Sequence, residues 1–197
     1  MTKNKIRDIE NKIFELMKEL QKLQKENVKS EVKNYVFSTL NGKSNLLDLF
    51  EDKDKLLVIH NMGQGCRYCT LWGDGINSFL PHLESIISVV LVSKDSPKEQ
   101  RKFANDRNWN FKMASHKGKE YMKEQVSDVN FDNSPGAVLY IRENNKIYRK
   151  NDCVFGPGDI YCSIWSFLNL AGISDSDWTP QFSYWKRPEK LDDGGKN

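Results

Sequence analysis

The sequence predicts an α/β domain, a central mixed sheet flanked by helices, with a long amphipathic helix in front of it. Three observations predict this. The apolar run Leu56-Leu57-Val58-Ile59 is broken by Gly63-Gln64-Gly65 and followed by Cys66-Arg67-Tyr68-Cys69. Leu71, Trp72, Ile76, Phe79 and Leu80 then recur at helical spacing, so the stretch reads as strand, tight turn and helix. Ile86 to Val92 is almost wholly apolar, as a strand buried on both faces should be. Ala137 to Ile141, a turn at Asn144-Asn145, and Lys146 to Arg149 read as an antiparallel hairpin.

Asn4 to Asn27 reads as the leading helix. Ile6, Ile9, Ile13, Leu16, Leu20 and Leu23 alternate three and four apart, as in a coiled-coil seam, and Phe14 and Met17 widen the stripe. Two uses fit this pattern: packing on its own domain, or a homodimer contact. Tyr35-Val36-Phe37 is a short strand, and Asn41-Gly42 is a turn signal. Ser44 is placed to cap a short helix from Leu46 to Phe50. Pro81 should kink or end the helix that follows the cysteines. Ser96-Pro97-Lys98-Glu99 has capping-box spacing with proline at the first helical position, opening a helix to about Arg107. Trp109 to Met113 is a candidate strand, and His116 to Gln125 has room for a helical turn or two. After the Gly156-Pro157-Gly158 loop, Asp159 is placed to cap a last helix, Ile160 to Ala171, closed by Gly172. Ile160, Ile164, Trp165, Phe167, Leu168 and Ala171 are expected to face the sheet. Trp178, Phe182, Tyr184 and Trp185 are candidates to pack across the domain, and Asp192 to Asn197 reads as disordered. The expected divisions are a helical extension at 1–30, the α/β domain at 31–172, and a tail at 173–197.

Composition narrows the function. A formal net charge of +3 over 197 residues gives no basic field for nucleic acid. No apolar stretch approaches the roughly 20 residues of a membrane helix, and no apolar signal core follows the first residues. A cytoplasmic location is expected, where a CxxC pair is reactive or metal-binding rather than a structural bridge.

The chemistry concentrates in Cys66 and Cys69. A thiol at the mouth of a helix meets unpaired N–H groups and the helix dipole, both of which favour thiolate. A second thiol one turn on can attack a mixed disulfide and release the partner. The alternatives are half of a zinc site and a pair of inert thiols. The zinc site's other half is lacking: Cys153 and Cys162 lie nine positions apart, with no histidine pair near them in sequence. No metal and no cofactor are therefore assigned. Arg67 adds positive charge near the thiolate or is a solvated surface residue. His60, ending the preceding strand, either tunes the thiols or is a buried histidine bonded to backbone. Trp72 shields the pair or packs in the core. Cys153 and Cys162 are expected as single buried thiols, one of them an extra resolving cysteine if the fold brings it near. His82 and His116 are expected at the surface.

Strand–helix–strand around the cysteines, then two strands and a helix, is a thioredoxin-like plan. The residues Tyr35-Val36-Phe37, Leu46 to Phe50, Leu57 to Met62 and Gly65 to Gly75 resemble a bacterial thioredoxin-like family of dithiol-disulfide oxidoreductases. The likeness continues through Val92-Ser93, Trp109-Asn110-Phe111, Pro135-Gly136 and the Gly156 loop, covering about Tyr35 to Ala171. The resemblance implies a thioredoxin-like fold and a redox role in which Cys66 is the nucleophile and Cys69 resolves. It implies substrate contacts from Arg67, Tyr68 and Pro135, with Ser134-Pro135 as a cis bond beside the cysteines. Here Arg67-Tyr68 replace the Pro-x usual between the cysteines, Asn61 stands where an aromatic is common, and the match fades beyond Gly172. These departures bear on substrate and redox potential more than on fold. The implied partner is a protein or small-molecule disulfide or thiol. Two rivals stand beside it. One is a peroxiredoxin-like peroxidase, which the Phe37, Asn41-Gly42, Leu46 lead-in resembles. The other is a non-catalytic module whose leading helix binds or dimerises.

Overall fold

In the computed structural model, which describes residues 2–117, 120–126 and 132–182, the run at Leu56 lies at the middle of a mixed sheet. The elements in chain order are α1 (Thr2–Glu26), β1 (Ser30–Val32), β2 (Val36–Thr39), β3 (Gly42–Asn45), β4 (Lys55–His60), α2 (Arg67–Glu84), β5 (Ser88–Ser93), α3 (Pro97–Asp106), β6 (Lys112–Ser115), β7 (Gly136–Glu143), β8 (Lys146–Val154) and α4 (Ser163–Leu170). Among the described residues the sheet has eight strands, in the order β1-β8-β7-β4-β5-β6-β2-β3. β4 runs parallel to β5, with Leu57 opposite Val89, and antiparallel to β7, with Val58 opposite Val138.

Strand period two divides the core. Ile59, Val89, Leu91 and Ala137 point to one face, where they meet Trp72 and Leu80 of α2, Ala104 of α3 and Trp165 of α4. Leu56, Val58, Val90, Val92 and Tyr140 point to the other, meeting Phe50, Tyr121 and Val126. β5 is buried along its whole length, Val89 to Val92 between a serine at each end, and it begins at Ser88, leaving Ile86 exposed before it. Gly73 and Asp74 fit α2 to its neighbour. A Cβ at residue 73 would come within 2.5 Å of the Trp109 ring, while Asp74 accepts the Trp109 Nε1–H at 2.8 Å and pairs with Arg107. α3 opens on the predicted capping box between Ser96 and Glu99. The β7–β8 hairpin turns at Asn144 and Asn145, both at positive φ.

Several expectations are corrected. Ser44 caps no helix. It pairs with Phe37 in the β2–β3 hairpin, and the helix expected at 46–50 shrinks to a 3-10 turn, Asp48–Phe50. No side chain caps that turn, whose N-cap is Leu47; the Asp48 carboxylate instead reaches back to accept the Asn45 N–H at 2.7 Å. Pro81 does not end α2, which runs to Glu84. Proline removes a single N–H, and burial of Leu80 and Leu83 against the sheet holds the last turn in place. The strand expected at 109–113 is displaced to Lys112–Ser115 because Trp109 and Phe111 are taken into the core ahead of it. His116 is buried, not at the surface. Its N–H bonds Ser93 O at 3.1 Å, extending the β5–β6 pairing and laying its ring near Tyr121. α4 starts three residues later than expected, and Ile160, Phe167 and Ala171 are exposed rather than turned to the sheet. Gly172, at φ +76, does close it. Residues 120–126 are helical, ending in a π turn, Met122–Val126. Trp178 packs on Trp165 with ring centroids 6.0 Å apart. Tyr184, Trp185 and Asp192 to Asn197 lie outside the described residues.

Packing of the α1 seam on its own domain is also overturned. Ile6, Ile9, Ile13, Leu16 and Leu23 are each more than half exposed. The domain grips only the C-terminal end of the helix, through Asn151 Nδ2 to Gln24 O at 3.1 Å and Lys150 Nζ to Lys25 O at 3.0 Å.

Candidate functional site

The site is built where β4 runs out. Asn61 N–H still reaches Val92 O at 2.9 Å, one residue beyond the strand. Its Oδ1 then accepts the Gly63 N–H at 2.8 Å, turning the chain. Gly63 sits at φ +120, and a Cβ there would lie 3.0 Å from the Asp95 carboxylate, so both backbone and space call for glycine. Asp95 Oδ2 accepts the next N–H, Gln64, at 2.7 Å. Asn133 Nδ2 donates to Met62 O at 3.3 Å. Cys66 N–H closes the turn on Gly63 O at 3.0 Å.

Cys66 is the N-cap of α2. Its Sγ accepts the Cys69 N–H at 3.1 Å, the place usually taken by a serine or aspartate oxygen. Cys66 and Cys69 are joined as a disulfide, with Cα atoms 5.3 Å apart. Cys66 is partly exposed, whereas Cys69 is buried. Thr70 anchors the first turn, its Oγ1 and N–H both donating to Cys66 O at 2.9 and 3.1 Å. Arg67 is exposed beside the pair, and Tyr68 is half-buried with its ring stacked on Trp165.

Three aromatic rings pack together from α2, the end of β8 and α4. Trp72 lies parallel to Phe155 with centroids 5.6 Å apart, and Trp165 joins them at 5.8 Å from Trp72. Trp72 Nε1–H donates to Asp159 Oδ2 at 3.0 Å. Asp159 also accepts N–H groups from Gly156, Tyr161 and Cys162 at 2.9, 2.8 and 3.1 Å. A single carboxylate thus locks the loop before α4 onto α2. Asp159 does not cap α4, whose N-cap is Cys162; it caps the turn in front of it.

Pro135 stands near the pair by register. Gly136 lies opposite His60, so Pro135 is beside Asn61, where the loop to the cysteines begins. The Ser134–Pro135 bond is trans, correcting the expected cis bond. Pro135 O is held in the hairpin by the Phe155 N–H at 2.9 Å. Glycine at 136 makes the close approach possible, since a Cβ there would collide with the Cys153 carbonyl.

His60 is turned the other way. It shares its face of β4 with Leu56 and Val58, and its Nε2 is 2.8 Å from the Tyr121 hydroxyl. Tyr140 OH continues the chain to Gln125 Oε1 at 2.9 Å, which also accepts from Arg149 at 3.2 Å. Burial, with the charges of Arg149 and His116, pushes His60 down to about 3. Burial and Lys94 bring His116 to about 4. Both rings are therefore neutral at neutral pH, and burial drives Tyr121 well above its ordinary range.

The remaining thiols are free. Cys162 is buried and Cys153 half-buried. Burial raises both, Cys153 to about 11, so each is held as thiol. No cluster of three metal-ligating side chains occurs among the described residues, and no helix among them is long and apolar enough to cross a membrane. Two positioning carboxylates escaped the reading of the sequence. Asp95 carries no local signal, and Asp159 was visible only as a helix cap.

No curated protein matches the sequence. Among solved structures, Xanthomonas campestris peroxiredoxin Q superposes with a TM-score of 0.56 at 14% identity, over 73% of this chain and 97% of that one. A cysteine-to-serine mutant of Xylella fastidiosa PrxQ gives 0.52 at 16%, over 74% and 97%. Reduced Prx3 from Vibrio vulnificus gives 0.51 at 16%, over 67% and 88%. At these identities the likeness establishes a thioredoxin-like fold of the kind peroxiredoxins adopt. The model of the family described as bacterial protein of unknown function (DUF899) matches residues 9–189, and the chain belongs to that family.

Proposed function

We propose that the protein is a thiol-disulfide oxidoreductase working through Cys66 and Cys69. One observation carries the reading: the two sulfurs are bonded at the first turn of a helix, the N-cap sulfur accessible and its partner buried. That asymmetry assigns the roles. Negative charge on the Cys66 sulfur is favoured by the N–H groups it caps. Reduced Cys66 attacks a partner disulfide, forms a mixed disulfide and expels one partner thiolate. Cys69 loses its proton to that thiolate or to solvent, attacks Cys66 Sγ and expels the second sulfur. The protein pair loses two electrons and the partner disulfide gains them. Run backwards, the steps oxidise a dithiol. Arg67 and Tyr68, which follow Cys66 in the first turn, and Pro135, beside Asn61 at the start of the loop, are the proposed contacts for the partner, a protein or small-molecule thiol or disulfide.

A second reading is favoured by the superposition on peroxiredoxins. In it, the Cys66 thiolate attacks a peroxide oxygen, the O–O bond breaks, hydroxide leaves and a sulfenic acid forms. Cys69 then attacks that sulfur, water leaves and the same disulfide results. Insulin reduction and peroxide consumption, measured on one sample, separate the readings. Exchange predicts the first activity without the second. The decisive experiment is Cys69→Ser. The variant accumulates mixed disulfides at Cys66 that mass spectrometry identifies, and a variant that traps neither protein nor small thiol removes the exchange reading.

A further inference from the structure

The α1 seam is apolar and, apart from the half-buried Leu20, uncovered by its own domain, and the charges beside it say what covers it. Of residues 3–26, Leu20 and Gln24 are half-buried, while the rest are exposed. A helix of 25 residues gripped at one end gains little from its own domain, although helices in proteins draw most of their stability from packing an amphipathic face. Its seam sets a heptad: Ile6, Ile13 and Leu20 at a, with Ile9, Leu16 and Leu23 at d. The six residues fill three successive heptads, the shortest repeat that argues a coiled coil.

The flanking g positions are Lys5, Lys12, Glu19 and Glu26, two cations followed by two anions. In a parallel pair, g faces the partner's e positions. Lys5 would meet Glu10, but Lys12 would meet Met17 and Glu19 would meet Gln24. In an antiparallel pair, g faces g. Setting Ile6 level with Leu23, Ile9 with Leu20 and Ile13 with Leu16 brings Lys5 against Glu26 and Lys12 against Glu19. The twofold axis repeats each pair. Anionic lipid is a poorer occupant, because the helix mixes seven cations with five anions. We propose that α1 is a dimerisation arm that pairs antiparallel with α1 of a second copy of this chain.

The test is sedimentation equilibrium of the full chain at low and high micromolar concentration. A dimer is expected. Leu16→Glu places a carboxylate in the central layer and should give a monomer, with far-UV circular dichroism and the Cys66–Cys69 disulfide showing that the domain is folded. Lys12→Glu turns two attractive pairs repulsive and should weaken the dimer about tenfold. Adding Glu19→Lys should restore it. A monomeric wild type overturns the proposal, as does a dimer indifferent to Leu16→Glu. A dimer indifferent to Lys12→Glu overturns the antiparallel pairing, since a parallel one sets that lysine against methionine.

Discussion

The two faces of the sheet hold polar chemistry under opposite rules. On the α2 face, Cys66 of the disulfide is partly exposed, and Trp72, one turn after Cys69, packs with Phe155 and Trp165, with Asp159 holding the frame. On the other face, His60, Tyr121, Tyr140 and Gln125 form a hydrogen-bonded chain inside the core. There, burial silences titration: His60 is held neutral and the tyrosines are held protonated. Ile59 and His60 are adjacent, yet strand period two sends one to each face. Proximity in sequence to the disulfide is therefore a weak guide to membership of its site.

The largest contrast is in activity. Cys66→Ser should abolish disulfide exchange, a loss on the order of 10³-fold or more for a missing nucleophile. His60→Gln, which keeps a polar partner for Tyr121, should leave the rate within about twofold. Insulin-reduction rates on the two variants check this. A large loss with His60→Gln would mean that the faces are coupled through β4.

Stability should show the next largest effect. Trp72→Ala removes the ring stacked on Phe155 and the donor to Asp159. A cavity of that size costs about 3–5 kcal/mol. Denaturant titration measures it. Because Trp72 follows Cys69 by one turn of α2, reduction of Cys66–Cys69 by dithiothreitol should also quicken in this variant.

Acid should act through the opposite face. His60 and His116 have folded values of about 3 and about 4, below the unfolded value near 6.5. A lowered histidine contributes stability that is complete above the unfolded value. That stability is lost as pH falls from about 6.5 towards the folded values, because the unfolded chain binds the protons first. Each ring should remove about 1.4 kcal/mol per pH unit within that window. Urea titrations at pH 7, 6, 5 and 4 should therefore fall progressively, and His60→Gln should flatten the decline.

Much of this architecture was legible in local pattern. Leu56 to Ile59, the glycine break and the cysteines predicted strand, turn and helix, because those signals act over a few residues. Ser96 and Glu99 cap α3 through groups three positions apart. What was illegible depends on register. Asp95 reaches Gln64 across 31 positions because β5 lies parallel to β4, and no spacing rule reports that. Ser44 failed as a cap because a hairpin with Phe37 competed for the same residues. His116 looks like any polar-loop histidine until β6 carries it beneath Tyr121. Pro81 reads as a stop signal, yet burial of Leu80 outweighs one missing hydrogen bond.

The smallest predicted effect is the sharpest test of the contrast. Tyr140→Phe deletes a hydroxyl placed to donate to Gln125 Oε1 at 2.9 Å and lying 3.3 Å from Tyr121 OH. Gln125 Oε1 keeps Arg149 as a donor, and Tyr121 keeps His60, so no buried group is orphaned. The loss should be one net hydrogen bond, about 1 kcal/mol. It should appear in denaturant titration and leave the exchange rate unchanged. A drop of several kcal/mol would mean that the chain from His60 to Arg149 acts cooperatively. A change in exchange rate would mean instead that the phenol face reaches the thiols, and the separation of the two faces would fail.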